Sequence, residues 1–228
     1  MKLKKILSVL LACAFLFLCV ACDNEPNTVY IAIKNYGIVT VELYEDDAPI
    51  TVANFKKLVR EGFYDGLTFH RIIESFMIQG GCPKGDGTGD AGEDIKGEFS
   101  ANGVDTGIKH VEGTISMARS GHDLEGYLKY GGFEYNGIWY PFSEEDIEYI
   151  ESFYNTASSQ FFIVTETSEN NTKALDGRYA AFGRVTDGMK IVKAIAAVDT
   201  NADGKPLTSV VIATITFDKA AAEAALAK

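Results

Sequence analysis

The sequence predicts an all-β dominated fold, a closed or nearly closed β-barrel with helices covering its ends. Three observations lead there: many short apolar runs separated by glycine-rich turns, period-two alternation in an early run, and only two clear helical stripes in the body. The chain has 228 residues, 46% of them hydrophobic, which is enough for a real core in one large domain or two small ones.

Val29 to Lys34 opens a strand, Asn35-Tyr36-Gly37 makes a turn, and Ile38 to Tyr44 returns. In the second arm Val39, Val41 and Leu43 alternate with Thr40 and Glu42, as in a half-buried hairpin. From Pro49 to Arg60 the period changes. Val52, Phe55, Leu58 and Val59 form a helical stripe, Thr51 can cap its start and Gly62 can stop it. Further strands are predicted at Thr68–Ile73, Phe76–Gln79, Thr114–Met117, Gln160–Val164, Ala180–Val185 and Val210–Phe217. A second helix spans Gly188–Ala197 on Met189, Ile191, Val192 and Ile195. Within the aromatic, acidic stretch 122–157, Ser143-Glu144-Glu145-Asp146 resembles the capped start of a third helix, carrying Ile147, Ile150 and Tyr154. The alanine-rich tail from Asp218 reads as helical or frayed. No internal repeat or long linker interrupts the body, so it is one domain.

The first 21 residues differ from the rest. Lys2, Lys4 and Lys5 precede an apolar run from Ile6 to Ala21, too short for a membrane span of roughly 20 residues but suited to a secretory signal. The run ends in Cys19-Val20-Ala21-Cys22 before a polar tether, residues 22–28. This resembles a bacterial lipoprotein cleavage site, with lipidation expected at Cys22, although Leu10-Leu11-Ala12-Cys13 fits the usual box more closely. The expected product is exported and held on the cell membrane by its lipid alone. Of the four cysteines only Cys82 then remains in the folded body, which excludes a disulfide framework or cysteine metal cluster there.

Net charge is -11, and losing the three signal lysines takes it to -14. Such a surface argues against nucleic acid and against anionic lipid. Other motifs are weak. Asp199 to Gly204 begins like a calcium loop, but Val210 stands where the closing Glu belongs, so it reads as a solvated turn. Gly85-Asp86-Gly87-Thr88-Gly89 lacks the context of a phosphate cradle and reads as a flexible loop. Asn170-Asn171-Thr172 is a glycosylation sequon by pattern only. His70, His110 and His122 lack metal-ligand spacing, and no nucleophile elbow is present. No cofactor and no metal are expected.

The remaining constellation is Phe69-His70-Arg71-Ile72-Ile73-Glu74-Ser75-Phe76-Met77-Ile78-Gln79-Gly80-Gly81. By composition alone, Phe76 and Met77 are core residues and Arg71 is a surface cation. If the segment folds as two strands around Glu74-Ser75, then Arg71, Phe76, Met77 and Gln79 line one face, an apolar slot with polar donors at its edge.

This segment closely resembles the signature of the cyclophilins, the cyclosporin-type peptidyl-prolyl cis-trans isomerases. The resemblance runs from about Val29 to Phe217 through Ser116-Met117-Ala118, Ser159-Gln160-Phe161-Phe162-Ile163 and Leu175-Asp176-Gly177-Arg178-Tyr179. It implies an eight-stranded antiparallel barrel with a helix at each end, and Arg71 as the catalytic residue. Phe76, Met77, Phe162 and Leu175 are then the proline pocket, with Gln79 and Gln160 holding the peptide and positioning Arg71. His70, Ala118 and Tyr179 belong to the same binding set, His70 as readily structural as in contact with substrate. The implied partner is a proline-containing segment of an unfolded or exported protein, met by a monomer. The alternative is a proline-peptide-binding or chaperone module on the same barrel with little isomerase activity.

The chain departs from the family in several places. Ala174 replaces a Trp that helps to bind cyclosporin, so weak inhibition is expected. Tyr179 replaces a frequent His. Arg119 replaces an Asn, which puts a peptide-backbone contact in question, although Ala118 and Ser120 still carry main-chain groups. The largest departure is the insertion, residues 122–157, in place of a short loop. Its Phe133, Tyr135, Trp139, Tyr140 and Phe142 either pack on the barrel or extend the peptide groove.

Overall fold

The computed structural model describes residues 25–228 except His122. The signal segment and Cys22 therefore lie outside the described residues. Eight strands form one antiparallel sheet: β1 (Thr28–Ile33), β2 (Gly37–Leu43), β3 (Arg71–Ile73), β4 (Met77–Gly80), β5 (Thr114–Met117), β8 (Phe161–Val164), β9 (Ala181–Asp187) and β10 (Ile212–Thr216). Their order across the sheet is β10-β1-β2-β9-β5-β8-β4-β3. Its two edges meet near Thr68 and Val211, a bridged pair. The N–H of Ile212 donates to Leu67 O (2.8 Å) and that of Phe69 to Val210 O (3.0 Å). Such joining satisfies edge groups that would otherwise invite another strand. The predicted barrel is thus a curled sheet brought close to closure.

The β1–β2 turn explains itself in the sequence. Asn35 (φ 68°) and Gly37 (φ 125°) supply the left-handed conformations that a tight reversal needs. The first helix, α1 (Pro49–Arg60), covers one barrel end and buries Phe55 among Tyr64, Phe161 and Phe182, with ring centroids 5.2, 5.7 and 5.1 Å away. The Thr51 cap expected from the sequence is not formed. Glu98, only 2% exposed, reaches across and accepts from Ile50 N (3.1 Å), Thr51 N (2.7 Å) and Thr51 Oγ1 (2.6 Å). A buried carboxylate is a stronger partner for orphan helix N–H groups and their positive dipole end than a hydroxyl is.

In the expected tether, residues 25–27 are pinned to the same helix. Arg60 Nε lies 2.7 Å from Glu25 Oε1, and Lys56 Nζ donates to Asn27 Oδ1 at 2.7 Å and Glu45 Oε2 at 2.9 Å.

The second predicted helix, α4 (Met189–Ala196), buries Val192 and Ile195 as its stripe requires. Three more helices are short. In α2 (Glu144–Ser152) the reciprocal Ser143–Asp146 capping box predicted from the sequence is present. The tail folds as α5 (Lys219–Leu226), with Ala222 fully buried. The insertion also holds a hairpin the sequence reading missed, β6 (Gly132–Tyr135) with β7 (Ile138–Pro141). It turns on Asn136 (φ 51°) and Gly137 (φ 75°), the two positive φ values a two-residue hairpin loop needs. The remaining helix, α3 (Glu169–Leu175), was also unpredicted, and it borders the site.

Candidate active site

Register builds the site. Arg71 pairs with Gln79 across β3–β4, Gln79 with Phe162 across β4–β8, and Phe162 with Ser116 across β8–β5. Side chains alternate faces along a strand, so these four share the outer face with Met77 and Val164, while Ile78, Phe161, Ile163 and Ile115 turn into the barrel. β8 reads Phe-Phe-Ile-Val because it is buried on both faces. Inside it joins the main core. Outside, Phe162 and Val164 join Met77 and Leu175 in a second apolar cluster, flanked by Phe76, Ala118 and Tyr179.

Supports lie beneath that cluster. Leu175 ends α3, whose N-cap Ser168 Oγ accepts from Asn171 N at 3.1 Å, which puts the sequon inside a capped helix. Tyr179 meets Phe162 edge-on at 5.7 Å. The His110 ring is stacked near Phe162 at 6.1 Å and bridges Asp176 Oδ1 (3.0 Å) and Ser116 Oγ (3.1 Å). The arrangement has the residue types of a hydrolytic triad, but Ser116 is 0% exposed and meets no substrate. It is a buried polar support that fixes the pocket floor. Burial pushes the His110 pKa down, against the raising pull of Asp176, so the ring is favoured neutral.

The polar edge is a relay. Arg71, exposed at the rim, donates from Nη1 to Gln79 Oε1 at 3.3 Å. Gln79 Nε2 donates to Gln160 Oε1 at 3.0 Å, and Gln160 Nε2 donates to Gly87 O (2.9 Å) and Gly89 O (2.8 Å). The glycine-rich loop 85–89, read from sequence as flexible, is instead held in place. Asp86 Oδ1 accepts from Thr88 N at 2.8 Å, and Cys82 Sγ accepts from Gly89 N at 3.3 Å. Its glycines allow a positive-φ path (Gly85 66°, Gly87 86°) beside His70. His70 itself is 7% exposed, and burial lowers its pKa, the reverse of what a proton-transfer base near neutral pH needs.

Together these walls enclose a cleft of ≈ 660 Å³. Among the residues singled out from sequence, Arg71, Gln79 and His70 line it. So do Phe76, Met77, Ala118, Phe162, Leu175 and Tyr179. Gln160 borders an adjoining recess of ≈ 260 Å³ that runs to Ser120 and Thr156.

Of the main-chain groups expected to face a peptide, the Ala118 and Ser120 N–H groups donate to Gln160 O (2.9 Å) and Thr156 Oγ1 (3.0 Å), and Ser120 O accepts from Arg119 Nη1 (2.8 Å). Arg119 is drawn inward. Its guanidinium lies 4.9 Å over Tyr179, 5.2 Å over Tyr154 and 5.3 Å over Phe99, donates to Arg178 O (2.9 Å), and pairs with Glu125 at 2.6 Å. Burial of a guanidinium demands this degree of satisfaction.

Asn201, Asp203 and Lys205 also line the cleft and were missed. Asn201 Oδ1 accepts from Asp203 N (3.0 Å) and Lys205 N (2.8 Å), so the stretch is the turn the sequence suggested. Ile72 N donates to Gly204 O at 2.7 Å, which brings the turn beside Arg71. No local pattern announces a contact between positions so far apart in the chain.

Comparison with known proteins agrees with this geometry. The family described as cyclophilin type peptidyl-prolyl cis-trans isomerase/CLD matches residues 28–127 and 151–217, leaving out 128–150 within the insertion. Peptidyl-prolyl cis-trans isomerase B of Bacillus subtilis is 38% identical over 73% of this chain and 89% of its own length. The peptidyl-prolyl cis-trans isomerase of Synechococcus elongatus is 37% identical over 70% of this chain and 82% of its own. A crystal structure of a Cryptosporidium parvum cyclophilin type isomerase, obtained in the presence of the dipeptide Ala-Pro, superposes with a TM-score of 0.62 at 26% identity, covering 84% of this chain and 99% of that one. The sequence profile, the relatives and the shared fold converge: the chain belongs to the cyclophilin-type peptidyl-prolyl cis-trans isomerases and is an isomerase enzyme.

Proposed function

We propose that the outer cleft isomerises X-Pro bonds in unfolded, exported proteins, with Arg71 as the catalytic residue. Rotation about such a bond faces a barrier of roughly 18–20 kcal/mol because amide resonance is lost, and uncatalysed it takes tens to hundreds of seconds. At the twisted transition state the prolyl nitrogen regains its lone pair. A guanidinium, charged at any physiological pH, donates to that nitrogen and gains little from the planar amide. Preferential stabilisation of this kind lowers the barrier without nucleophile, proton transfer or cofactor.

Each remaining group has a place in this scheme. Phe76, Met77, Phe162 and Leu175 hold the proline ring between Ala118 and Tyr179. Gln79 and Gln160 hold the peptide and aim Arg71, while His70 packs beneath the glycine loop. The single observation that carries the reading is the Arg71–Gln79–Gln160 relay along the edge of a separate apolar cluster. Arg71 is exposed, so Arg71→Ala keeps the fold. About a hundredfold loss of exchange rate on a proline tetrapeptide, measured by NMR, corresponds to about 2.7 kcal/mol of transition-state stabilisation. Unchanged exchange rates refute the assignment.

The basic and apolar N-terminal segment, ending before Cys22, supports export and lipid anchoring of a monomeric body at the cell membrane. Mass spectrometry of the protein from its host tests this: an acyl-modified N-terminal Cys22 is expected, and an unmodified aqueous-phase protein overturns it.

A further inference from the structure

We propose that the β6–β7 hairpin is a second binding surface, for extended polypeptide segments rich in basic and apolar residues that lie outside the residues flanking the proline. This deepens the isomerase reading and rests on it. Of nine large hydrophobic side chains exposed among the described residues, seven lie between Tyr127 and Tyr149. On the hairpin itself Tyr135 is 63% exposed, Ile138 57% and Trp139 52%. Clustered exposure of this kind marks an interaction surface.

The exposure does not come from lack of local structure. Asn136-Gly137 forms a proper hairpin turn, Phe133 stacks on Tyr140 at 5.3 Å, and the following helix carries a complete capping box. These elements hold the rings outward.

Charge selects the occupant. Residues 122–157 contain eight carboxylates and one lysine, Lys129. That lysine already lies over the Tyr130 ring at 4.6 Å, showing that these rings accept a cation. Basic side chains complement the acidic field, and apolar neighbours cover the rings. A second copy of this chain would bring like charge against like, and an anionic bilayer would be repelled.

Continuity with the cleft runs through Arg119, which pairs with Glu125 and lies over Tyr179. Glu125 opens a six-residue 3₁₀ helix, Glu125–Tyr130, that leads directly into β6. At about 2.0 Å rise per residue the helix spans about 12 Å. An extended peptide covers that in about four residues at about 3.3 Å each. The surface therefore reads sequence about four residues or more from the bound proline.

Trp139 is the only tryptophan in the chain, so its fluorescence reports this surface. The full chain is titrated with a proline-free Lys/Leu peptide and with its Glu/Leu counterpart. Saturable change with the first alone is expected, with Kd rising at least tenfold between 50 and 300 mM salt. No change, or equal change with both, overturns the proposal. Self-association in sedimentation, or binding to phosphatidylcholine vesicles, without peptide binding overturns it in favour of those occupants.

In a second arm, the double variant Tyr135→Ser, Trp139→Ser keeps kcat/KM on a proline tetrapeptide within twofold. On a long substrate with Lys and Phe starting four residues from the proline, its KM rises about tenfold at unchanged kcat. Equal losses on both substrates, or none on the long one, also overturn it. If the wild type does not isomerise the tetrapeptide, the isomerase reading fails, and the fluorescence titration still decides the surface.

Discussion

Two aromatic regions flank Arg119 and share little beyond composition. On one side Phe162 and Tyr179 meet edge-on above a buried His110–Asp176–Ser116 network, with Phe162 4% exposed. On the other, Tyr135 and Trp139 stand more than half exposed on a two-stranded hairpin whose main packing beyond itself is against one 3₁₀ helix. The first is shaped in advance by a sheet and a polar support, as suits a pocket for one rigid ring. The second has local order but no floor, and suits adaptable contact with many sequences. An aromatic residue's role is thus decided by what lies beneath it.

The sharpest way to break this contrast is to remove the floor. Phe162→Ala empties a site packed on both sides and is expected to cost about 3–5 kcal/mol together with most isomerase activity. Equilibrium urea unfolding measures the first; a cost below about 1 kcal/mol means the pocket is not preformed.

Next in size is the joint between the regions. Arg119→Ala leaves Glu125, with an 11% exposed side chain, without its cation, and about 3 kcal/mol is expected. A double-mutant cycle with Glu125→Gln separates this pair from the three ring contacts; additive losses would show that the pair couples nothing.

Acid weakens the pocket side in two steps. Burial lowers the pKa of His70, beside Arg71 and Asp86, and of His110, beside Asp176 and Lys109. The unfolded chain therefore takes up protons first, and stability present above about pH 6.5 falls as pH drops below that value. Burial opposes the charge of Asp176, but hydrogen bonds from His110 and Lys109 hold its carboxyl below the usual range, so further stability is lost below about pH 4. Urea midpoints between pH 8 and 3 should fall in that order. His110→Gln should flatten the first step, and an unchanged step would place the titration elsewhere.

The smallest effect belongs to the hairpin. Trp139→Ser should change stability by no more than about 0.5 kcal/mol, read from the same unfolding curves. A larger loss would reveal a floor beneath the hairpin.

Much of the barrel is legible because its information is local. Alternation along Ile38–Tyr44 and the α4 stripe of Ile191, Val192 and Ile195 name the inward faces directly, and Ser143 with Asp146 announces its own helix. What escaped depends on distant partners or on very short elements. The Glu98 cap of α1 comes from 47 residues away. The Asn201–Lys205 turn reaches Arg71 across more than half the chain. α3 has seven residues, only one of them buried, and so shows no stripe. The Asn136-Gly137 signal was present, but its second arm, Ile138-Trp139-Tyr140-Pro141, is exposed throughout and lacks the apolar-polar alternation that marks a strand. At the cleft, a motif identified Arg71 and its neighbours; the sequence could not reveal that Gln160 ties them to the glycine loop.

Burial of β8 on both faces has a consequence for how the chain finds its pairing. A slip of one position along β8 would exchange Phe161 and Ile163 for Phe162 and Val164, one apolar pair for another of similar bulk. Hydrophobic pattern alone scarcely penalises that error. On β4 the matching slip is penalised by Gln79, because it would carry that amide into an apolar interior with no partner. A polar group at the rim of the cleft thus also proofreads the strand alignment, so substituting Gln79 by an apolar residue would remove a folding instruction along with its hydrogen bonds to Arg71 and Gln160.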